Sequence, residues 1–283
     1  GTMLPVAGII QAGQQAMADR YTYLPLIGLF IMIVWGFHAL VSKWRHARVL
    51  SVAASVVVIV PLILLSWVQI GYWRNSISLF HHTLEVTRDN HLAHACLAVA
   101  LQKEGNLNEA LFHFQEAARI KPTPLYLTDL GSLYGMLGKT DEAITCLRQA
   151  LREKDNLERA QYNLGVLLIA RGEDQEALTH LLRTLQLNPR KEGARLMIGN
   201  IMIKQGKIRE AARYFEDEAR LGSKNALLYN DLGTVYYQLG QREKGLACYR
   251  RALEMEPENE LVKDNMKLAL AKYGRPNTLG SCP

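Results

Sequence analysis

Two long apolar stretches occupy the first quarter of the chain, whereas apolar and polar positions alternate with helical spacing in the remainder. Residues 21–42 and 49–73 contain no Asp, Glu, Lys or Arg. A helix rises about 1.5 Å per residue, so each stretch is long enough to cross a hydrocarbon layer of roughly 30 Å. We therefore predict two transmembrane helices, at 22–42 and 49–71.

The connection between the two apolar stretches, residues 43–48, is basic. It contains Lys43, Arg45 and Arg48 and no acidic residue. Because short basic loops stay in the cytoplasm, we predict a transmembrane hairpin whose two ends face outward, preceded by an outer juxtamembrane segment at 1–21. A buried helical pair of a soluble protein is the alternative, and it is disfavoured because so few charged residues separate the two apolar runs.

The start of the chain does not resemble the start of a secreted protein. Residue 1 is Gly1, and the first twenty residues lack the basic start and the cleavage pattern of a signal peptide. We expect further sequence before Gly1, so that the hairpin is the last part of a larger membrane protein.

Glycines recur with nearly constant spacing through the rest of the chain. Gly105, Gly138, Gly172, Gly206 and Gly240 lie 33, 34, 34 and 34 residues apart. Small residues also recur seven positions before and five positions after each of them. This period and pattern are the signature of the tetratricopeptide repeat, a pair of antiparallel helices. The recurring glycine ends each first helix in a left-handed conformation, and the other small residues lie where the two helices approach most closely.

The fold prediction is therefore an all-α protein, in which a two-span hairpin is followed by a right-handed tetratricopeptide-repeat α-solenoid. A half repeat at 72–90 precedes the full repeats, a capping helix at 260–273 covers the last exposed face, and a flexible tail follows at 274–283. We place the five full repeats at 91–123, 124–157, 158–191, 192–225 and 226–259.

Metal chemistry is not indicated by the histidines. No acid or cysteine lies at a fitting spacing from His81, His82, His91 or His94, so we predict neither a metal site nor any other cofactor. The net charge of +6 is dispersed outside the basic loop, which disfavours nucleic acid as a partner.

The four cysteines are not clustered along the chain. Cys96, Cys146 and Cys248 fall inside predicted repeat helices, where a cysteine is usually a small buried apolar residue, and Cys282 lies in the tail. We therefore predict no disulfide framework.

The first helices of such repeats line a concave surface, which is the candidate binding site. Its inward positions combine aromatic, amide and cationic side chains, a mixture that suits an extended peptide whose backbone amides need partners. The alternative is that these are only solvated residues of a scaffold. The predicted peptide groove consists of Arg159, Tyr162, Asn163, Asn200, Lys204, Asn230 and Tyr237.

Several segments together resemble one family. The stretch "QAMADRYTYLPLIGLF", a hairpin with a basic loop, "YWRNSISLF" and the repeats that follow resemble the C-terminal part of the transmembrane and tetratricopeptide-repeat proteins. Bacterial relatives share this layout, and the animal members are O-mannosyltransferases of the GT-C membrane glycosyltransferase type.

The resemblance implies a lipid-phosphate-linked sugar as donor and repeats that select the acceptor protein on the non-cytoplasmic side, in bacteria outside the inner membrane. It also implies that the catalytic acidic residues precede this chain, so no catalytic residue is assigned. Two classes of function stay open: the acceptor-recognition part of a glycosyltransferase, and a non-catalytic scaffold tethered to the lipid bilayer.

Asp19, Arg20 and Tyr21 directly precede the first apolar stretch, on its predicted outer side. The planar fork of the Arg20 guanidinium suits a lipid phosphate, with Asp19 orienting it and Tyr21 among the headgroups. The alternative is that Arg20 and the neighbouring tyrosines only anchor the end of the helix.

Overall fold

A computed structural model describes residues 47–274 and 280–283, together with six residues between 31 and 39. The chain divides into two compact units, residues 1–78 and 79–283. Every regular element among the described residues is a helix, which confirms the all-α prediction.

Helix α1 (Ala47–Tyr72) is the main described element of the first unit. Its segment Ser55–Tyr72 is long and apolar enough to cross a membrane, and none of that segment is buried. This is the only candidate span within the described part of the chain. Most of the first predicted span, 22–42, and most of the basic loop lie outside the described residues. The described residues therefore contain one apolar helix, at the second predicted span, and the two-span hairpin stays a prediction.

The second unit is a succession of antiparallel helix pairs, preceded by helix α2 (Ser76–Val86), which contains the division between the units. Each helix of these pairs packs against its neighbours along the chain. The helices are α3 (His91–Lys103), α4 (Leu107–Ile120), α5 (Pro124–Met136), α6 (Thr140–Glu153), α7 (Glu158–Arg171), α8 (Asp174–Leu187), α9 (Ala194–Lys204), α10 (Ile208–Arg220), α11 (Ala226–Gln238), α12 (Arg242–Met255) and α13 (Glu260–Tyr273).

The turn within each helix pair is made by the recurring glycine. All five of these glycines have positive φ, between 73° and 84°. Since a left-handed residue after the last turn of a helix costs Gly least, the predicted reason for their spacing is confirmed.

The helices of a pair approach most closely at the small residues that lie seven positions before each recurring glycine. A Cβ atom added to Gly165 on α7 would lie 2.9 Å from Cγ of Leu181 on α8, and one added to Gly233 would lie 2.8 Å from the ring of Tyr249. Leu181 and Tyr249 are themselves buried. The interior of the array is therefore built by large side chains of second helices lying on glycines of first helices.

The last helix, α13, covers the end of the array. It packs against α11 and α12, with Val262 and Ala269 buried at the contact. The side-chain amide of Asn265 on α13 donates to the side-chain oxygen of Asn230 on α11 at 3.0 Å.

A disulfide bond joins Cys248 on α12 to Cys282 in the tail, with a Cα–Cα distance of 4.9 Å. The prediction of no disulfide is therefore wrong, and the end of the segment predicted as a flexible tail is covalently attached to the last repeat. The two residues are 34 positions apart in sequence, and only the return of the chain past α13 brings them together. Cys96 and Cys146 are free thiols.

Candidate peptide-binding groove

A cleft of about 530 Å³ lies between the first helices of two consecutive pairs, α5 and α7. Three of the predicted groove residues, Arg159, Tyr162 and Asn163, are among the residues that line it. The others are Gly131, Ser132, Gly135, Met136, Val166, Leu167 and Lys191. We call this cleft the α5–α7 groove.

Asn163 presents a hydrogen-bond acceptor to the groove. Its amide nitrogen donates to Oγ of Ser132 at 2.6 Å, and that hydroxyl donates to the carbonyl of Thr128 at 2.8 Å. In the part of the chain that the structure describes, the side-chain oxygen of Asn163 has no partner. The amide is thus held in place from one side and can accept a hydrogen bond from a ligand.

Arg159 closes one side of the groove by an ion pair between repeats. Its Nη2 lies 3.0 Å from Oδ1 of Asp129 on α5. Burial raises the pKa of Asp129, and the guanidinium acts in the opposite direction. Arg159 therefore neutralises the charge of Asp129, whose ionised carboxylate would be destabilised by burial if it had no cation beside it.

Tyr162 has its aromatic face covered by a cation. Nζ of Lys191 lies 4.5 Å from the ring centroid and 3.0 Å from Oε1 of Glu158. Burial raises the pKa of the Tyr162 hydroxyl, and the nearby carboxylates, Glu218 foremost, raise it further. The hydroxyl is therefore neutral at ordinary pH. Because each lining cation has a carboxylate partner, the groove carries no excess of either charge.

Two further predicted groove residues are exposed but do not line this cleft. Asn200 and Lys204 lie on α9, in the next pair along the chain. Nζ of Lys204 lies 3.1 Å from Oδ1 of Asp174 in the preceding repeat, so the two side chains form an ion pair.

The structure places Asn230 and Tyr237 in the interior of the array instead of on an open surface. Their relative exposures are 4% and 1%. Asn230 is bonded to Asn265, and the ring of Tyr237 lies between those of Tyr249 and Tyr273, with both centroid distances 5.9 Å. Helix α13 removes both residues from the concave surface that their repeat positions predict.

Asp129 and Lys191 contact predicted groove residues but are not themselves among the residues predicted from the sequence. Asp129 precedes Asn163 by 34 residues and therefore occupies the same position of its repeat. That register could have indicated it. Lys191 lies in a loop between pairs, where the repeat pattern carries no such signal.

The histidines of the first pair interact with one another and with tyrosine. Nδ1 of His94 lies 3.0 Å from Nδ1 of His113, and Nδ1 of His91 lies 2.8 Å from the hydroxyl of Tyr126. Among the described residues, no group of three or more His, Cys, Asp or Glu is arranged to hold a metal ion. The predicted lipid-phosphate residues Asp19, Arg20 and Tyr21 lie outside the described residues.

Family models of the tetratricopeptide repeat match residues 91–124, 128–192 and 226–259. This chain contains tetratricopeptide repeats. The matches fall on the helix pairs of the second unit, and the α5–α7 groove lies between the first helices of two such repeats.

Among curated proteins, the repeat-containing chain is similar to parts of protein O-mannosyl-transferases. It is 28% identical over 122 residues to Tmtc3 of Drosophila melanogaster and 29% identical over 121 residues to TMTC1 of Mus musculus. These segments cover 42% and 41% of this chain but 13% of each relative. The chain therefore matches a small part of the length of these enzymes.

Solved tetratricopeptide-repeat structures share the fold. YrrB, described as a TPR protein with an unusual peptide-binding site, superposes with a TM-score of 0.57 at 23% identity, covering 66% of this chain and 97% of YrrB. PilF of Pseudomonas aeruginosa superposes with a TM-score of 0.64 at 19% identity, covering 72% of this chain and 93% of that protein. At these identities the likeness establishes the helical-repeat fold alone.

Proposed function

We propose that the α5–α7 groove binds an extended segment of a partner protein. The observation that carries this proposal is that the amide nitrogen of Asn163 donates to Ser132, whereas the side-chain oxygen of Asn163 has no partner among the described residues. A backbone N–H of an extended peptide is a suitable donor, because it needs a new acceptor when it leaves water. Met136 and Val166 supply apolar area beside it.

We infer that the chain is the acceptor-recognition part of a GT-C type membrane glycosyltransferase that uses a lipid-phosphate-linked sugar. The partial similarity to protein O-mannosyl-transferases and the apolar helix α1 support this inference. In this proposal the predicted hairpin at 22–42 and 49–71 anchors the chain in the membrane, and the groove presents the acceptor polypeptide.

The proposed location of the repeats is the non-cytoplasmic side, in bacteria outside the inner membrane. The basic residues of the loop at 43–48 support this orientation. The disulfide between Cys248 and Cys282 supports it independently, because disulfides persist in oxidising compartments and are rare in the cytosol. Digestion of the repeats by protease added to sealed inverted vesicles would contradict this orientation.

Asp19, Arg20 and Tyr21 are proposed to contact the phosphate of the lipid-linked donor. In a full-length enzyme, Arg20→Ala should then reduce sugar transfer while membrane insertion stays normal. Unchanged transfer would leave Arg20 as an anchor of the helix end.

A membrane-tethered scaffold without chemistry is the second candidate. It is favoured by the extent of the similarity, which covers 121 to 128 residues, at most 14% of each relative. The gene sequence upstream of Gly1 distinguishes the two. Further membrane spans with an acidic pair in an early outer loop support the enzyme, and a start codon directly before Gly1 supports the scaffold.

Peptide recognition is tested by selecting binders to the full chain in detergent from a randomised decapeptide library. Asn163→Ala should weaken the selected peptides by about fivefold, the effect of one hydrogen bond. Gln175→Ala is the matched control, because Gln175 is an exposed amide residue on the second helix of the same repeat. Equal binding by the wild type and Asn163→Ala would contradict the proposed groove.

A further inference from the structure

Asp231 on α11 occupies the same position in its repeat as Asp129 on α5. Each aspartate directly precedes a Leu-Gly pair at the start of the closely packed part of its helix. Asn163 holds the same position in the first of the two repeats between them and lines the α5–α7 groove. Helix α13 buries the neighbouring Asn230, whereas Asp231 itself is only half-buried.

The two aspartates differ in their partners. Asp129 is paired with Arg159, which follows it by 30 residues. The residue that follows Asp231 by 30 positions is Leu261, on α13. Throughout the described part of the chain, the carboxylate of Asp231 has one partner, the side-chain amide of Asn230 at 3.2 Å, and no cation.

Two exposed leucines occupy repeat positions related to Asp231, one a helical turn before it and one at the position equivalent to Arg159. Leu227 lies one turn earlier on the same helix and is 45% exposed, and Leu261 is 54% exposed. Burial raises the pKa of Asp231 to about 6, against the smaller opposing effect of the Asn230 amide. The carboxylate thus pays a desolvation cost that no cation of the described chain offsets.

We propose that Asp231 receives a lysine or arginine side chain of the polypeptide bound along the concave surface. This inference rests on the proposed peptide-binding function and adds the chemical class of one ligand residue. A basic side chain fits both parts of the site, because its aliphatic stem can lie against Leu227 and Leu261 while its charge meets the carboxylate. The ligand cation then takes the role that Arg159 has for Asp129.

The test uses the full chain in detergent and a positional-scanning set of decapeptides. One position at a time is fixed as lysine, arginine, glutamine or glutamate, and the other positions are randomised. At one position, lysine or arginine should bind about tenfold more tightly than glutamine, and glutamate should bind less tightly still. Asp231→Asn should reduce this preference to within about twofold.

Two further variants control the result. Asp264→Asn removes an exposed carboxylate of α13 that is paired with Lys267, and this variant should keep the preference. Leu261→Arg supplies an internal cation at the position equivalent to Arg159 and should abolish the preference while Asp231 remains.

The outcomes separate this inference from the proposed function. If decapeptides bind without a basic preference, or if Asp231→Asn keeps that preference, the role of Asp231 is refuted and peptide recognition stands. If no decapeptide binds the wild type, both proposals fail. Loss of the preference in Asp231→Asn and Leu261→Arg, with retention in Asp264→Asn, supports the assignment.

Discussion

The guanidinium of Arg159 lies 3.0 Å from the carboxylate of Asp129, which belongs to the preceding repeat. The carboxylate side chain is 15% exposed and the arginine side chain 55%. The pair therefore joins two repeats at the edge of the α5–α7 groove. Asp129 is the more buried partner and loses more of its hydration than Arg159.

Arg159→Ala should destabilise the protein by about 1 kcal/mol, because it leaves a mostly buried carboxylate without its cation. The value is kept low because the arginine is largely exposed to solvent. Arg183→Ala is the matched control, since Arg183 pairs with Asp155 at the same 3.0 Å with both side chains well exposed. Urea denaturation of the two variants should therefore give a clear loss for the first and little change for the second. Equal losses would mean that Asp129 is not the cause.

Gly165→Ala should cost about 1–3 kcal/mol, because the added Cβ would lie 2.9 Å from Cγ of Leu181 and force the two helices of the repeat apart. Gly135→Ala is the comparison within another first helix. There the nearest atom to the added Cβ is Cδ2 of Leu167 at 3.4 Å, so higher helix propensity should make the change neutral or slightly stabilising. Thermal denaturation followed by circular dichroism measures both. Similar midpoints for the two variants would refute close approach at Gly165.

Cys282→Ser should lower the free energy of unfolding by about 2–4 kcal/mol under oxidising conditions, because it releases the cross-link to Cys248. Reductant should produce a similar loss in the wild type and no further loss in the variant. Cys96→Ser serves as control, because Cys96 is an exposed free thiol. A wild-type melting temperature that reductant does not change would be evidence against the disulfide.

Asp231→Asn should stabilise the protein at pH 7 by about 1–3 kcal/mol. Because the pKa of Asp231 is raised in the folded state, its ionised carboxylate lowers the free energy of unfolding at neutral pH. This destabilisation disappears as the pH falls from about 6 to about 4, where the carboxyl becomes protonated in the folded and then in the unfolded state. The difference in melting temperature between variant and wild type should therefore shrink over that pH range. A constant difference from pH 7 to pH 4 would show that Asp231 is not the titrating group.

Periodicity in the sequence was sufficient for the repeat fold. The spacing of Gly105 and its counterparts predicts paired helices with left-handed glycines between them, and both are confirmed. The repeat positions of Arg159, Tyr162 and Asn163 also predict that they share one surface, and the structure brings them to one cleft. These features recur once per repeat, so the residues that form them recur at a constant spacing that can be recognised in the sequence.

Features that occur once in the molecule could not be predicted in this way. The burial of Asn230 and Tyr237 depends on α13 lying over the last repeat, and the Cys248–Cys282 bond depends on the chain returning beyond that helix. The contrast between Asp129, which has a cation, and Asp231, which has none, depends on which residue the following helix carries. The geometry of a helix pair is determined by residues that recur within every repeat. The end of the array is determined by contacts of α13 and Cys282 with the last repeat, and these contacts have no counterpart in the other repeats.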